Sequence, residues 1–163
     1  MLVELFFAGA WAVLAIAVGL VVVTVAIHAL GFHALLRVMI RLHALTASGL
    51  RHITPWVIGM TCWLVLVHLI EISVWGLFYF WQGCLPDAES AFYFSGVTYT
   101  TVGYGDVVLP RQWRMLAPFE ALTGILMCGL STGLFFAVVT RWITNWLQRQ
   151  SASEHHSAAP KNK

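Results

Sequence analysis

Thr100-Thr101-Val102-Gly103-Tyr104-Gly105-Asp106 joins two apolar segments of unequal length. On its N-terminal side, Ala91 to Tyr99 is a short aromatic-rich run. That run is too short to cross a bilayer, which takes about 20 apolar residues. On its C-terminal side, Met115 to Ile143 is long enough to cross and is interrupted by Gly124, Gly129 and Gly133. The short run therefore reads as a re-entrant half-helix, and irregular backbone at that depth must be shielded by protein rather than exposed to lipid. Two glycines in a loop are ordinarily a turn. A turn alone does not account for this ordered stretch set between a half-helix and a span.

The composition agrees with a lipid environment. Of 163 residues, 60% are hydrophobic and 10% are charged, against about 25% charged in an average soluble domain. Mean hydropathy is +0.80. So few charges cannot cover a water-soluble surface. An ordinary soluble enzyme is excluded, and so is a nucleic-acid binder, which needs a basic stripe. A disordered chain would be poor in aromatics, whereas this one has 13%. The length accommodates three or four spans and their connections, with no additional soluble domain expected. The three cysteines, Cys62, Cys84 and Cys128, do not suggest a disulfide framework. Cys84, near a polar loop, is either a free thiol or a candidate for pairing between subunits.

Working outward, Pro55 to Trp81 is a second long apolar run, with Thr54 as a plausible N-cap and tryptophans at both ends. His68 and Glu71 lie inside it. Leu5 to Ile27 is a further run, longer than a signal peptide's core and without a basic region before it. Between them, residues 28–54 carry Arg37, Arg41 and Arg51 and no acidic residue. His33, Arg37 and Arg41 recur at steps of four, on one helix face. This segment reads as an amphipathic helix at the membrane interface, or as an extension of the first span. Two arginines four apart are too few for a voltage sensor. The expected organisation is a transmembrane helix over 1–27, a basic helix over 28–54, a pore-forming unit over 55–143 and a polar tail over 144–163. Within 55–143 the expected elements are a span at 55–81, a half-helix at about 88–99, the loop 100–106 and a span at 115–143. The fold class is thus an all-α membrane protein with three transmembrane helices and one re-entrant helix.

The heptad and its setting resemble the potassium channel family, whose selectivity filter is a Thr-Val-Gly-Tyr-Gly loop. The resemblance covers 55–143 and leaves the first span and basic helix outside it. It implies the potassium-channel pore fold, with backbone carbonyls of Thr101, Val102, Gly103 and Tyr104 replacing the hydration shell of potassium. Gly103 and Gly105 admit the unusual dihedrals that point consecutive carbonyls at one axis. The Thr101 hydroxyl supplies the innermost ligand. Thr100, Tyr99 and Asp106 support the filter or form its outer mouth, where a carboxylate concentrates cations. Asp87 or Glu89 complements the positive end of the half-helix. Relatives with a carboxylate behind the filter pair it with the following Asp; Val97 stands there here, and Glu71 is the candidate substitute. Its plainer reading is a buried structural hydrogen bond. Many relatives also carry a tryptophan pair in the half-helix, where Tyr93 and Phe94 stand instead.

A ring of carbonyls needs several strands, so the resemblance implies a homotetramer, with Phe92, Tyr93, Phe94 and Tyr99 expected between subunits. Gly124 and Gly129 are candidate hinges of the inner helix, or simply sites of close packing. Ser131, Thr132, Phe135 and Phe136 are candidates for the cavity or lower gate. Glu120 is expected at the interface, facing the outer mouth or pairing with Arg111 or Arg114. Four histidines, His28, His33, His43 and His52, suggest a cytoplasmic pH response or simply headgroup-level polar residues.

The expected function is passive, potassium-selective conduction with no catalysis, no cofactor beyond potassium in the filter, and membrane lipid as its surroundings. Competing readings are a non-conducting accessory subunit, a non-selective cation channel and an intramembrane metal-dependent enzyme. The last rests on His68 and Glu71 sharing one helix face like half of a metal site, with no second such motif to complete it. Segments 28–54 and 141–163 hold seven of the nine Lys and Arg. The positive-inside rule then puts the C-terminus in the cytoplasm and the N-terminus outside. The expected location is the plasma membrane, that of a bacterium.

Overall fold

The computed structural model describes residues 2–43 and 53–158. Four helices follow in order: α1 (Leu2–His43), α2 (Ile53–Trp81), α3 (Ala88–Tyr99) and α4 (Leu116–Ala158). No strand occurs among the described residues. Three segments are long and apolar enough to cross a membrane: Trp11–Arg41, Thr54–Trp81 and Leu116–Gln148. At about 1.5 Å per residue each exceeds a hydrocarbon core of about 30 Å, so each tilts or projects into the interface.

The first apolar run and the basic segment after it form one continuous helix as far as His43. Residues 28–43 thus continue the helix of the first apolar run, and 44–52 fall outside the described residues. Leu35 is buried against Met60 and Leu64, while Arg37 and Arg41 are exposed.

The spans pack in layers. At one end, Ala17, Trp75, Tyr79, Cys84, Ala91, Phe94, Leu109 and Leu116 form an apolar cluster. At the other end, Leu35, Met60 and Leu64 are joined by Phe32, Leu134 and Phe135. α1 and α4 run from the first cluster to the second, and α2 runs the opposite way. α3 packs on α2 and α4, and α1 packs on both as well. Between the apolar layers, near the middle of all three spans, lie His28, His68, Glu71 and Ser131.

α2 is stopped by a left-handed residue, Gly83, at φ 60°. The Cys84 N–H donates to the Tyr79 carbonyl at 2.9 Å and the Gly83 N–H to that of Phe80 at 3.1 Å. These bonds satisfy carbonyls that a helix end otherwise orphans. Cys84 is then buried in the chain's own core, where desolvation pushes its thiol pKa up. A cysteine so placed does not present itself to another subunit. α3 is started by Asp87, whose Oδ1 accepts from the Ser90 N–H at 2.8 Å, with Glu89 in the first turn. Both carboxylates complement the positive end of the helix.

Candidate functional site

The loop after α3 is built by folding the chain back onto the helix end. The Thr100 N–H and hydroxyl both reach the Gly96 carbonyl, at 3.1 and 2.6 Å. The Thr101 N–H donates to Thr98 O at 2.9 Å and the Gly103 N–H to Val97 O at 3.1 Å. The backbone then changes handedness residue by residue. Thr101, Gly103 and Gly105 have φ of 62°, 52° and 79°, while Val102 and Tyr104 do not enter the positive region. Such alternation turns successive peptide planes so that consecutive carbonyls share one side. Glycine adopts positive φ without penalty. Thr101, β-branched, does so at a cost on the order of 1–3 kcal/mol, a strain characteristic of ligand clamps.

Residues 100–106 are all exposed in the single chain. Val102 is 51% exposed and Tyr104 73%. An exposed, irregular loop cannot rest against lipid. The partner of Asp106 is Tyr93, whose hydroxyl donates to Oδ2 at 2.7 Å. This bond holds the Asp106 carboxyl below its ordinary range and pushes the Tyr93 phenol up.

Behind the loop stands a polar layer that joins all four helices. Glu71, fully buried, accepts from Tyr99 OH through Oε2 and lies 2.8 Å from His28 Nδ1 through Oε1. His68 Nδ1 is 3.2 Å from Glu71 Oε2 and 3.0 Å from Tyr99 OH. The far nitrogens of both imidazoles converge on Ser131 Oγ, at 3.1 Å from His68 and 3.4 Å from His28. Above it, Trp75 Nε1 donates to Thr24 Oγ1 at 3.0 Å, a second link from α2 to α1. A second carboxylate, Glu120, is also fully buried: Tyr79 OH donates to Oε2 at 2.7 Å and Ser95 Oγ to Oε1 at 2.6 Å. Ser95 Oγ also lies 2.8 Å from the Ile72 carbonyl.

Several expectations are corrected by this geometry. Glu120 faces α2 and α3 rather than the interface, and Arg114 turns instead to the Leu109 carbonyl at 3.1 Å. His28, 2% exposed, lies in mid-span and not at headgroup level. His52 lies outside the described residues, as does the side chain of His43. Phe94 and Tyr99 are buried inside the chain rather than held for a neighbouring subunit. Ser131 faces the polar layer, and Phe135 packs in the second apolar cluster, whereas Thr132 and Phe136 remain exposed. Gly124 is pressed against α3, where an added Cβ meets the Tyr99 carbonyl at 2.0 Å. Gly129 faces open space. Glu71 and Tyr99, both named from sequence, are brought together. His28 and Ser131, named from sequence in other roles, join them here; Tyr79 and Ser95 are additions, and their only sequence signal is polarity inside or beside an apolar run.

A half-helix ending in a strained loop, set between two spans, defines a pore-loop membrane protein. A family model described as Ion channel matches residues 57–141, just over half of the 163. The chain belongs to this ion channel family, and its three spans make it a multi-pass membrane protein. Comparison with curated proteins and with solved structures finds no match. The matched segment takes in α3, the loop and most of α2 and α4; α1, which supplies His28, lies before it.

Proposed function

We propose that the chain forms a homotetrameric, potassium-selective pore in which the carbonyls of Thr101, Val102, Gly103 and Tyr104 coordinate the ion. The observation that carries this reading is the coincidence of the Thr-Thr-Val-Gly-Tyr-Gly-Asp sequence with alternating backbone handedness at 101–105. Consecutive carbonyls on one side are what a partly dehydrated potassium ion requires. One loop supplies one strand of such a cage, and four close it by cyclic symmetry. The exposure of Tyr104 and Val102 in a single chain supports burial by neighbouring copies. Asp106, exposed and held ionised by Tyr93, fits an outer mouth that gathers cations. No cofactor is needed, and no catalytic step. With the basic termini of the spans inside, the re-entrant segment and its loop enter from the outer face of the plasma membrane.

The test is flux from proteoliposomes under potassium or sodium gradients, with Gly103→Ala as control. Potassium-selective flux that Gly103→Ala abolishes supports the reading. Equal potassium and sodium flux points to a non-selective pore. Silence of an assembled tetramer across pH and lipid composition points to an accessory subunit.

A further inference from the structure

The polar layer contains an arrangement that ion conduction does not require. His28 from α1 and His68 and Glu71 from α2 present one donor atom each within 4.8 Å of one another. His68 and Glu71 share one helix face; α1 brings the third from 43 residues before Glu71, as the Glu71–His28 contact shows.

We propose that His28, His68 and Glu71 form a binding site for a divalent transition-metal ion of the zinc class. Two imidazoles and one carboxylate are an established donor set for such ions, and donors at about 2.0–2.2 Å around a tetrahedral centre lie about 3.3 Å apart. The observed separations are 2.8 Å from His28 Nδ1 to Glu71 Oε1 and 3.2 Å from His68 Nδ1 to Glu71 Oε2, so the two imidazoles approach different oxygens of one carboxylate. A small opening, with rotation of that carboxylate to offer one oxygen, admits the ion where protons now bridge the groups. The Tyr99 hydroxyl, already bonded to Glu71 Oε2 and 3.0 Å from His68 Nδ1, lies beside these donors.

The surroundings fit a metal as well as the donors do. Each imidazole offers Nδ1 to the centre and Nε2 to Ser131 Oγ. When an ion takes both Nδ1 atoms, each ring carries its remaining proton on Nε2. Both rings then donate to the two lone pairs of one hydroxyl, the outer-shell bond that fixes tautomer and ring orientation in metal sites. The ionised carboxylate offsets half of the ion's charge, which matters in an apolar layer. His68, 17% exposed, is the open edge of the site.

Binding is read from the metal itself and does not depend on conduction. The full-length protein, stripped with chelator, is titrated with Co2+ alone, and the visible absorption of tetrahedral Co2+ is recorded. The expected result is saturation at one ion per chain, reversed by Zn2+ alone. His28→Gln and His68→Gln each weaken binding at least about tenfold, whereas His33→Gln, at an exposed position, leaves the titration unchanged. Ser131→Ala keeps every donor and is the variant to read if a histidine replacement fails to assemble; it weakens binding about 10- to 100-fold. Absence of tetrahedral absorption in the native protein overturns the proposal. Titrations of the histidine and Ser131 variants that match the native one overturn it equally.

Discussion

At the scale of single residues, Asp106 and Tyr93 are the pair whose chemistry reaches the mouth of the loop. The Tyr93 hydroxyl favours the charged form of Asp106, so the carboxyl titrates below its ordinary range. The sign follows. The bond's contribution is present above the ordinary carboxylate pKa and is lost as pH falls through the depressed value. Tyr93→Phe removes the bond and lets Asp106 take up a proton at higher pH. The acid-induced fall in cation current is expected to move to higher pH in Tyr93→Phe, as measured by current against external pH. An unchanged profile separates Asp106 from the conduction path. The heptad itself was legible because a short ordered motif survives without knowledge of packing. The Tyr93–Asp106 pair was not, because 13 residues and a helix end separate its members.

At the scale of elements, the contact between α3 and α4 decides what Gly124 does. An added methyl meets the Tyr99 carbonyl at 2.0 Å, well inside any real contact. Gly124→Ala is expected to lower stability in detergent by at least about 1–3 kcal/mol, the usual cost of overpacking. Gly129→Ala, which meets nothing within 4 Å, is expected to leave the melting temperature nearly unchanged. Equal melting curves for the two variants contradict the packing role of Gly124. The Glu120 clamp is a second test at this scale. Tyr79→Phe leaves the buried Glu120 carboxyl group short of a hydrogen-bond partner and is expected to cost about 1–3 kcal/mol, read from the same melts. Sequence placed Glu120 in the last span but at the wrong face. An almost uniformly apolar helix carries depth information in its length and little about which side faces a neighbour. The same limitation left Ser131 a cavity or gate candidate, with its place in the polar layer unread. The long extension of α1 through 28–43 was one of two readings of the basic segment. The stepwise recurrence of arginines is common to a surface helix and to a span projecting past the membrane.

At the scale of the whole molecule, the single chain leaves its strained loop and a broad face of α4 uncovered. Leu122, Ile125, Leu126 and Leu130 are all exposed there. In a fourfold pore that face and the loop are covered by other copies. Native mass spectrometry from detergent should give about four times 18.1 kDa, and a monomer or dimer under mild conditions contradicts a fourfold pore. The three spans and the half-helix were readable from composition and run lengths. The layered interior was not, since it arises only when mid-span polar residues from three helices meet. Such groups are costly in lipid and each finds a partner here, with no unpaired buried side-chain polar atom among the described residues.

If the loop 101–105 selects potassium, current through the pore must discriminate potassium from sodium. The most direct measurement is the reversal potential of the native protein's current in a planar bilayer with potassium on one side and sodium on the other. A potassium-selective loop gives a reversal potential far from zero, in the direction set by potassium moving down its gradient. A reversal potential near zero, with current flowing, contradicts it.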